Sequence, residues 1–197
     1  MNLIRAANEQ DAERIAHVHV ESWKTTYAGI VADAYLATLD EGRRAKSWRE
    51  SLAREVPVFV AELDGVVVGF VCGGPIREPV GEFDAELYAI YLVKEAQRAR
   101  RGTGLLETLA NSLMARGFRS MAVWALEENP AGRFYENSGA VRVAAKKIEI
   151  GGVELAEVAY GWPRLESIVD PRPPQIVPGR GEAAEDGCDY GGDRANA

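Results

Sequence analysis

The stretch that decides the fold spans residues 86–117 and reads ELYAIYLVKEAQRARRGTGLLETLANSLMARG. It opens with an apolar run typical of a buried strand, passes through an arginine-rich loop with two glycines, and continues as an amphipathic pattern that stops at Gly117. The start of a helix presents unpaired backbone N–H groups and the positive end of the helix dipole, and glycine lets the backbone approach an anion closely. We therefore expect an anion site where the loop meets the helix.

Strand and helix patterns continue on both sides of this stretch. The predicted strands are 3–6, 57–62, 66–72, 86–93, 118–125, 141–150 and 153–160, and the predicted helices are 9–23, 33–39, 41–53, 103–116 and 129–137. The dipeptides Asp64-Gly65 and Gly151-Gly152 are typical of tight hairpin turns. The sequence thus predicts a mixed sheet with helices after its first, fourth and fifth strands.

The composition changes after Pro163, where large apolar residues become rare and proline, glycine and charged residues become common. Such a segment buries too little apolar surface to form a core of its own. We therefore predict one folded domain over residues 1–165 and a Pro/Gly-rich acidic tail over residues 166–197.

The overall charge limits the classes of partner. A formal net charge of −7 and a sequence pI of about 5.0 argue against a nucleic-acid-binding protein and favour cationic substrates.

The N-terminus lacks a signal-peptide pattern and no apolar run approaches the roughly 20 residues of a membrane span. We expect a cytoplasmic protein without membrane contact, in which Cys72 and Cys188 are reduced thiols.

Metal binding is not expected. His17 and His19 are two residues apart in a predicted helix, so their side chains point in different directions and do not share an ion.

A dinucleotide-binding loop is not expected either. Gly102 and Gly104 match the first two glycines of that fingerprint, but Glu107 stands where the third belongs.

A second informative segment, VWALEENPAGRFYENSGAVRV at residues 123–143, has an asparagine at the start of a helix that carries a Phe-Tyr pair. Together with the opening stretch, it makes residues 86–139 resemble the acetyl-CoA-binding core of the GNAT superfamily of N-acetyltransferases. The resemblance extends more weakly over residues 2–162. It implies an α/β (α+β) fold with a mixed, mostly antiparallel sheet, helices on its faces, and a splayed parallel pair formed by strands 86–93 and 119–125.

The resemblance also assigns a cofactor site for acetyl-CoA. Backbone groups of Ile90, Tyr91 and Leu92 would hold the pantetheine arm and the acetyl carbonyl. The pyrophosphate loop and the helix-start asparagine would add Gln97, Arg98, Ala99, Arg100, Arg101, Gly102, Thr103 and Asn129. Arg100 stands where the family has its first glycine, and its side chain either crowds the pyrophosphate or adds a charge-assisted contact to it.

The family chemistry implies roles for further side chains. Tyr135 would donate a proton to the departing thiolate, since a tyrosine with a pKa of about 10 is protonated at neutral pH. Glu86 is the first candidate for the base that deprotonates the amine, with Glu82 and Asp84 as alternatives. Trp23 and Tyr27 resemble the wall that holds the acceptor.

The implied function is transfer of an acetyl group from acetyl-CoA to a primary amine of a small molecule or peptide, by direct attack in a ternary complex without a metal. The alternative is a non-catalytic or regulatory CoA-binding module with the same fold. Because C-terminal strands in this family often build dimers, a homodimer is an implied assembly.

Overall fold

The computed structural model describes residues 2–54 and 56–169. Seven strands form a single sheet in the order β1-β2-β3-β4-β5-β7-β6. The strands are β1 (Asn2–Ala6), β2 (Val58–Leu63), β3 (Val66–Pro75), β4 (Ala85–Leu92), β5 (Met121–Leu126), β6 (Val141–Ile150) and β7 (Val153–Trp162). The helices are α1 (Ala12–Thr26), α2 (Asp33–Leu36), α3 (Glu41–Leu52), α4 (Arg101–Ala115), α5 (Ala131–Asn137) and α6 (Glu166–Val169).

One strand pair differs from all the others in this sheet. β4 and β5 run parallel and pair only at Ala85–Met121 and Glu86–Ala122, whereas the remaining neighbours pair antiparallel. Beyond Glu86 the two strands diverge and their facing edges are no longer paired with each other. The splayed parallel pair within a mostly antiparallel sheet is therefore confirmed.

Both predicted hairpin turns are present. Asp64 and Gly65 have φ of 52° and 81°, and Gly151 and Gly152 have φ of 60° and 79°. Two successive residues with positive φ produce the turn whose twist matches that of the flanking strands.

The first helix begins with a capping box. The Asn8 side chain accepts a hydrogen bond from the backbone of Gln10, and the Asp11 carboxylate accepts one from the backbone N–H of Asn8. Residues Glu9–Asp11 form a 3₁₀ turn, so α1 itself starts later than predicted and continues to Thr26. The extra turn places Tyr27 at the C-cap of the helix.

Helix α4 packs against one face of the sheet through side chains with no exposed surface, namely Leu105, Leu106, Leu109 and Leu113. The helix ends at Ala115, and the glycine that was predicted to terminate it, Gly117, has φ of 92°. There the N–H groups of Gly117 and Phe118 bond to the carbonyls of Met114 and Leu113, which satisfies the last turn of the helix.

Helices α1 and α3 cover the opposite face, where Ile15, Val18, Val60 and Phe70 are fully or almost fully buried. The sheet is therefore enclosed between two layers of helix over its β1–β4 half. Helix α6 follows the last strand, with Leu165 and Ile168 buried in the α4 core. The rest of the predicted tail, residues 170–197, lies outside the described residues. None of the helices in the described ranges has both the length and the hydrophobicity of a bilayer span.

Candidate active site

The central feature of the site is the gap that opens between β4 and β5. A register shift in the β3–β4 pairing, from Cys72–Ala89 to Gly73–Leu87, leaves Tyr88 as an extra residue in β4. A Cβ atom on Gly73 would lie 2.6 Å from the carbonyl oxygen of Glu86, so glycine permits the close approach of the strands there. Ile90, Tyr91 and Leu92 come after this bulge, on the part of β4 that β5 no longer covers.

The N-terminus of α4 lies at the end of β4 and has the properties of an anion site. It has no side-chain cap and no acidic residue in its first turn, so its amide dipoles are not neutralised by the chain. Arg98 and Arg100, which are exposed, bring positive charge to the same loop. The anion site predicted from the loop and helix pattern therefore has matching backbone and side-chain features.

Backbone strain occurs at both of these arginines. Arg98 and Arg100 have φ of 62° and 58°, in the left-handed region that favours glycine. This conformation accounts for the glycine expected at position 100, and Arg100 adopts it at an energetic cost. Ala99, between them, is exposed.

Side chains of the loop itself hold it against β4. The Gln97 amide donates to the carbonyl of Leu92 at 3.1 Å, and the Arg101 guanidinium donates to the carbonyl of Ala96 at 2.9 Å. Gln97 and Arg101 thus organise the loop from within, while the first-turn amides of Gly102 and Thr103 stand at the helix N-terminus.

Gly102 also brings the loop before α4 close to α5. A Cβ atom at this position would lie 3.5 Å from side-chain carbons of both Leu92 and Phe134. The end of β4, the start of α4 and the middle of α5 therefore meet at one point, which is the mouth of the gap between the strands.

Tyr135 lies on α5 within the same region. Its ring is 5.6 Å from that of Tyr160 and 5.8 Å from that of Trp162, which it meets edge to face. Burial raises the pKa of Tyr135 above its usual range, so the hydroxyl is protonated at neutral pH. None of the side-chain hydrogen bonds within the described residues uses this hydroxyl.

Asn129 connects the two sides of the site. Its side-chain oxygen accepts a hydrogen bond from the backbone of Ala131 at 2.9 Å, and its amide donates to the Tyr27 hydroxyl at 3.0 Å. Both ends of this buried side chain are therefore engaged within the protein. The geometry gives Asn129 a positioning role at the start of α5, beside the predicted contact with CoA.

The predicted acceptor wall is an aromatic cluster. The Trp23 and Tyr27 rings are 4.7 Å apart, and Tyr91 stacks on His19 at 5.1 Å on the same side of the sheet. Burial lowers the pKa of His19 to about 3, with the charge of Arg44 contributing, so His19 is neutral at physiological pH. A shallow depression of about 220 Å³ lies beside this wall, lined by Ile30, Leu126, Glu127, Glu128, Leu155 and Ala156.

Glu86 occupies the last paired position before the strands diverge and is only 4% exposed. Its carboxylate accepts hydrogen bonds from the backbone N–H, Nε and Nη2 of Arg77. The Arg77 guanidinium in turn lies 4.1 Å from the centre of the Tyr88 ring. A buried carboxylate thus lies where β4 and β5 begin to diverge, with Arg77 as its partner.

The two alternative carboxylates are placed differently. Asp84 accepts hydrogen bonds from the backbone N–H groups of Arg119 and Ser120 and from the Ser120 hydroxyl. It fixes the turn into β5, which explains why that strand starts three residues later than predicted. Glu82 is exposed in the loop before β4. Among the described residues, no group of three or more His, Cys, Asp and Glu side chains is arranged to hold a metal ion.

Comparison with known proteins agrees with this geometry. The family model described as "Acetyltransferase (GNAT) family" matches residues 21–140. The chain is also 43% identical over 169 residues to the uncharacterised N-acetyltransferase YuaI of Bacillus subtilis (strain 168), covering 85% of this chain and 96% of YuaI. The chain belongs to the GNAT family. It is an acetyl-CoA-dependent N-acetyltransferase.

Other GNAT proteins share its fold at lower identity. The chain is 28% identical over 141 residues to the spermidine N(1)-acetyltransferase of Thermoplasma acidophilum, covering 69% of this chain and 86% of that protein. The crystal structure of the PaiA N-acetyltransferase from the same organism, in complex with coenzyme A, aligns with a TM-score of 0.61 at 23% identity and covers 80% of this chain and 98% of that one. YncA of Salmonella typhimurium, solved with acetyl-CoA, aligns with a TM-score of 0.66 at 23% identity and covers 95% and 99% of the two chains.

Two features of this GNAT site were missed by sequence reasoning. Arg77 gave no signal, because its pairing with Glu86 depends on how the loop after β3 folds back. Gly104 was given no role of its own, whereas a Cβ atom there would lie 2.7 Å from Ile4. Its position is explained by the close packing of α4 on β1.

Proposed function

We propose that this GNAT protein transfers the acetyl group of acetyl-CoA directly to a primary amine of a small molecule or peptide, with both substrates bound together. The observation that carries the proposal is the gap between β4 and β5, with the uncapped start of α4 at its mouth and, next to that start, helix α5, which carries the buried Tyr135. A gap with an anion site at one end accommodates a long thioester whose phosphates bind at that end.

On this proposal the cofactor lies along β4. The backbone of Ile90, Tyr91 and Leu92 binds the pantetheine arm and orients the acetyl carbonyl, and the loop from Gln97 to Thr103 binds the pyrophosphate. Arg98 and Arg100 add charge-assisted contacts to the phosphates. Asn129 keeps the start of α5 in place beside the cofactor.

The transfer step needs two proton movements. The neutral amine attacks the acetyl carbonyl carbon, the C–S bond breaks, and the thiolate takes the proton of Tyr135. The proton lost from the amine passes to Glu86, directly or through water. Because Arg77 donates to both carboxylate oxygens of Glu86, it must release at least one of them before Glu86 accepts the proton.

Direct transfer is favoured over a covalent acetyl-enzyme by the state of the thiol. Cys72 is buried, and burial raises its pKa to about 12, so it is a poor nucleophile at neutral pH. Cys188 lies outside the described residues. An acceptor amine therefore has to reach the thioester itself.

The acceptor side of the sheet suits a cation with an apolar chain. Trp23 and Tyr27 supply aromatic faces, and two acidic residues, Glu127 and Glu128, line the depression beside them, although the Glu127 carboxylate is paired with Arg142. One relative is a spermidine acetyltransferase by name, which agrees with this chemistry. We further propose a cytoplasmic protein, and a homodimer built by its C-terminal strands.

Release of free thiol from acetyl-CoA across a panel of amines tests the function, with thermal shift by acetyl-CoA measured in parallel. Direct transfer predicts intersecting lines in double-reciprocal plots of initial rate against acetyl-CoA concentration, measured at several fixed acceptor concentrations. Parallel plots would indicate a covalent intermediate. A thermal shift without thiol release from any amine would instead favour a non-catalytic CoA-binding module.

A further inference from the structure

Lys146 on β6 occupies an unusual position for a surface lysine. Its ammonium lies 4.1 Å from the centre of the Trp124 ring, 2.5 Å from a carboxylate oxygen of Glu78, and 3.6 Å from one of Glu157. An aromatic face and two carboxylates thus surround one positive charge. We call this set of Trp124, Glu78 and Glu157 the ammonium cage.

The cage differs from an ordinary exposed ion pair. The Lys146 and Glu157 side chains are 28% and 17% exposed, whereas the neighbouring pair of Lys147 and Glu154 is 73% and 65% exposed. Partial burial strengthens both cation–π attraction and charge pairing, because less water screens them. Glu78, at 62% exposed, leaves the cage accessible from solvent.

The cage lies beside the proposed acceptor site. Trp124 is two residues beyond Ala122, which pairs with Glu86 at the point where β4 and β5 diverge. Burial raises the pKa of Glu157, Lys146 lowers it, and the negative charges of Glu78 and Glu86 raise it further. Burial likewise raises the pKa of Tyr27, to which the charge of Glu157 adds. Glu157 also pairs across the sheet with Leu126, which packs with Tyr27, so the cage borders the proposed acceptor wall.

Nothing in the proposed transfer reaction uses this cage. Its chemistry is that of a receptor for an alkylammonium ion, and the group that fills it is itself the end of an alkylammonium chain. Because Lys146 reaches the cage on a flexible stem, a ligand with the same chemistry competes with it for the same carboxylates.

We propose that the Trp124–Glu78–Glu157 cage is a subsite for a second ammonium group of the acceptor, and that Lys146 is a tethered competitor which such an acceptor displaces. This inference rests on the proposed function, since it assigns the preferred substrate class: amines with two cationic ends. One end is acetylated at the gap between β4 and β5 while the other is held by the cage.

The test measures thiol release with diaminobutane and with butylamine as acceptors. The quantity compared is the kcat/KM for diaminobutane divided by the kcat/KM for butylamine. Lys146→Met removes the competing ammonium from the cage and is expected to raise this ratio at least about fivefold, the effect of one cation–π or charge contact. Glu157→Gln is expected to lower the ratio. Lys147→Met, on the adjacent residue, is the matched control and leaves the ratio at the wild-type value.

A ratio in Lys146→Met that stays at the wild-type value, or falls, overturns the inference and leaves the cage as a structural ion pair. If Glu157→Gln does not fold, the Lys146→Met and Lys147→Met comparison decides alone. If no amine supports thiol release, the proposed function fails. Calorimetric titration of the CoA-bound protein with diaminobutane then tests separately whether the cage binds a diamine. Tighter binding to Lys146→Met than to wild type supports the subsite, and equal or weaker binding overturns it.

Discussion

The side-chain amide of Asn129 donates a hydrogen bond of 3.0 Å to the hydroxyl of Tyr27, which joins positions 102 residues apart in the chain. Tyr27 ends α1 on the acceptor side, and Asn129 precedes α5, which carries Tyr135. A single buried hydrogen bond therefore couples the position of the acceptor wall to that of the proposed catalytic acid.

Tyr27→Phe removes the acceptor of this hydrogen bond and leaves the Asn129 amide unsatisfied. We expect the free energy of unfolding to fall by about 1–3 kcal/mol, the usual cost of a buried donor without a partner. Urea denaturation measures this change. Tyr35→Phe is the control, since the Tyr35 hydroxyl takes no part in the hydrogen bonds found within the described residues. Equal stability losses in the two variants would mean that the Tyr27–Asn129 bond contributes nothing.

Arg100→Gly separates backbone strain from ligand binding. Because Arg100 has φ of 58°, glycine should relieve roughly 1 kcal/mol of strain and raise the melting temperature. Loss of the guanidinium should at the same time weaken acetyl-CoA binding by about three- to tenfold, an effect that decreases with added salt. Calorimetric titration gives the Kd, with Arg100→Lys as the charge-preserving control. Tighter binding to Arg100→Gly would show instead that the side chain crowds the pyrophosphate.

Glu86 and Arg77 form one pair but have different predicted roles. Glu86→Gln should lower kcat by about 100-fold or more, since it removes the base, with little change in acetyl-CoA affinity. Arg77→Gln should retain much more activity, because the carboxylate remains and is freed of its partner. Rates measured over a range of pH compare the two variants, and Glu82→Gln provides an exposed control. Equal loss of rate in both pair variants would assign the pair a purely structural role.

His19 makes the stability of the fold depend on pH. Burial lowers its pKa from 6.5 to about 3, so below about pH 6.5 the unfolded chain binds a proton that the folded protein does not. The contribution of His19 to the free energy of unfolding is fully present above pH 6.5. It falls by up to about 1.4 kcal/mol per pH unit as the pH decreases towards 3. Denaturation at pH 7 and pH 5 should show a smaller loss for His19→Phe than for wild type.

The sequence predicted the elements of the fold well where the signal was local. The hairpin at Asp64-Gly65 and the helix end at Gly117 depend on residues that are adjacent in the chain, and both are present as expected. The β5 start was misjudged because Asp84 binds the amides of Arg119 and Ser120, a contact across some 35 residues. No local pattern encodes such a partner.

The same distinction applies to the site. The loop from Gln97 to Thr103 and the segment from Asn129 to Tyr135 could be proposed from the sequence because each is a contiguous stretch of chain. The pairing of Glu86 with Arg77 and the cage around Lys146 bring together residues from separate loops and strands, and they became visible only once the β3–β4 loop and the β6–β7 hairpin were placed.

The most direct test of this account is the effect of Tyr135→Phe on kcat and on the Kd of acetyl-CoA. Because the variant loses only the proton that is donated to the thiolate, kcat should fall by about 100-fold or more while the Kd changes by less than about twofold. Tyr160→Phe, whose ring lies 5.6 Å away, is the control and should retain its rate. A Tyr135→Phe enzyme with the kcat of the wild type would contradict the account, because it would remove Tyr135 from the reaction.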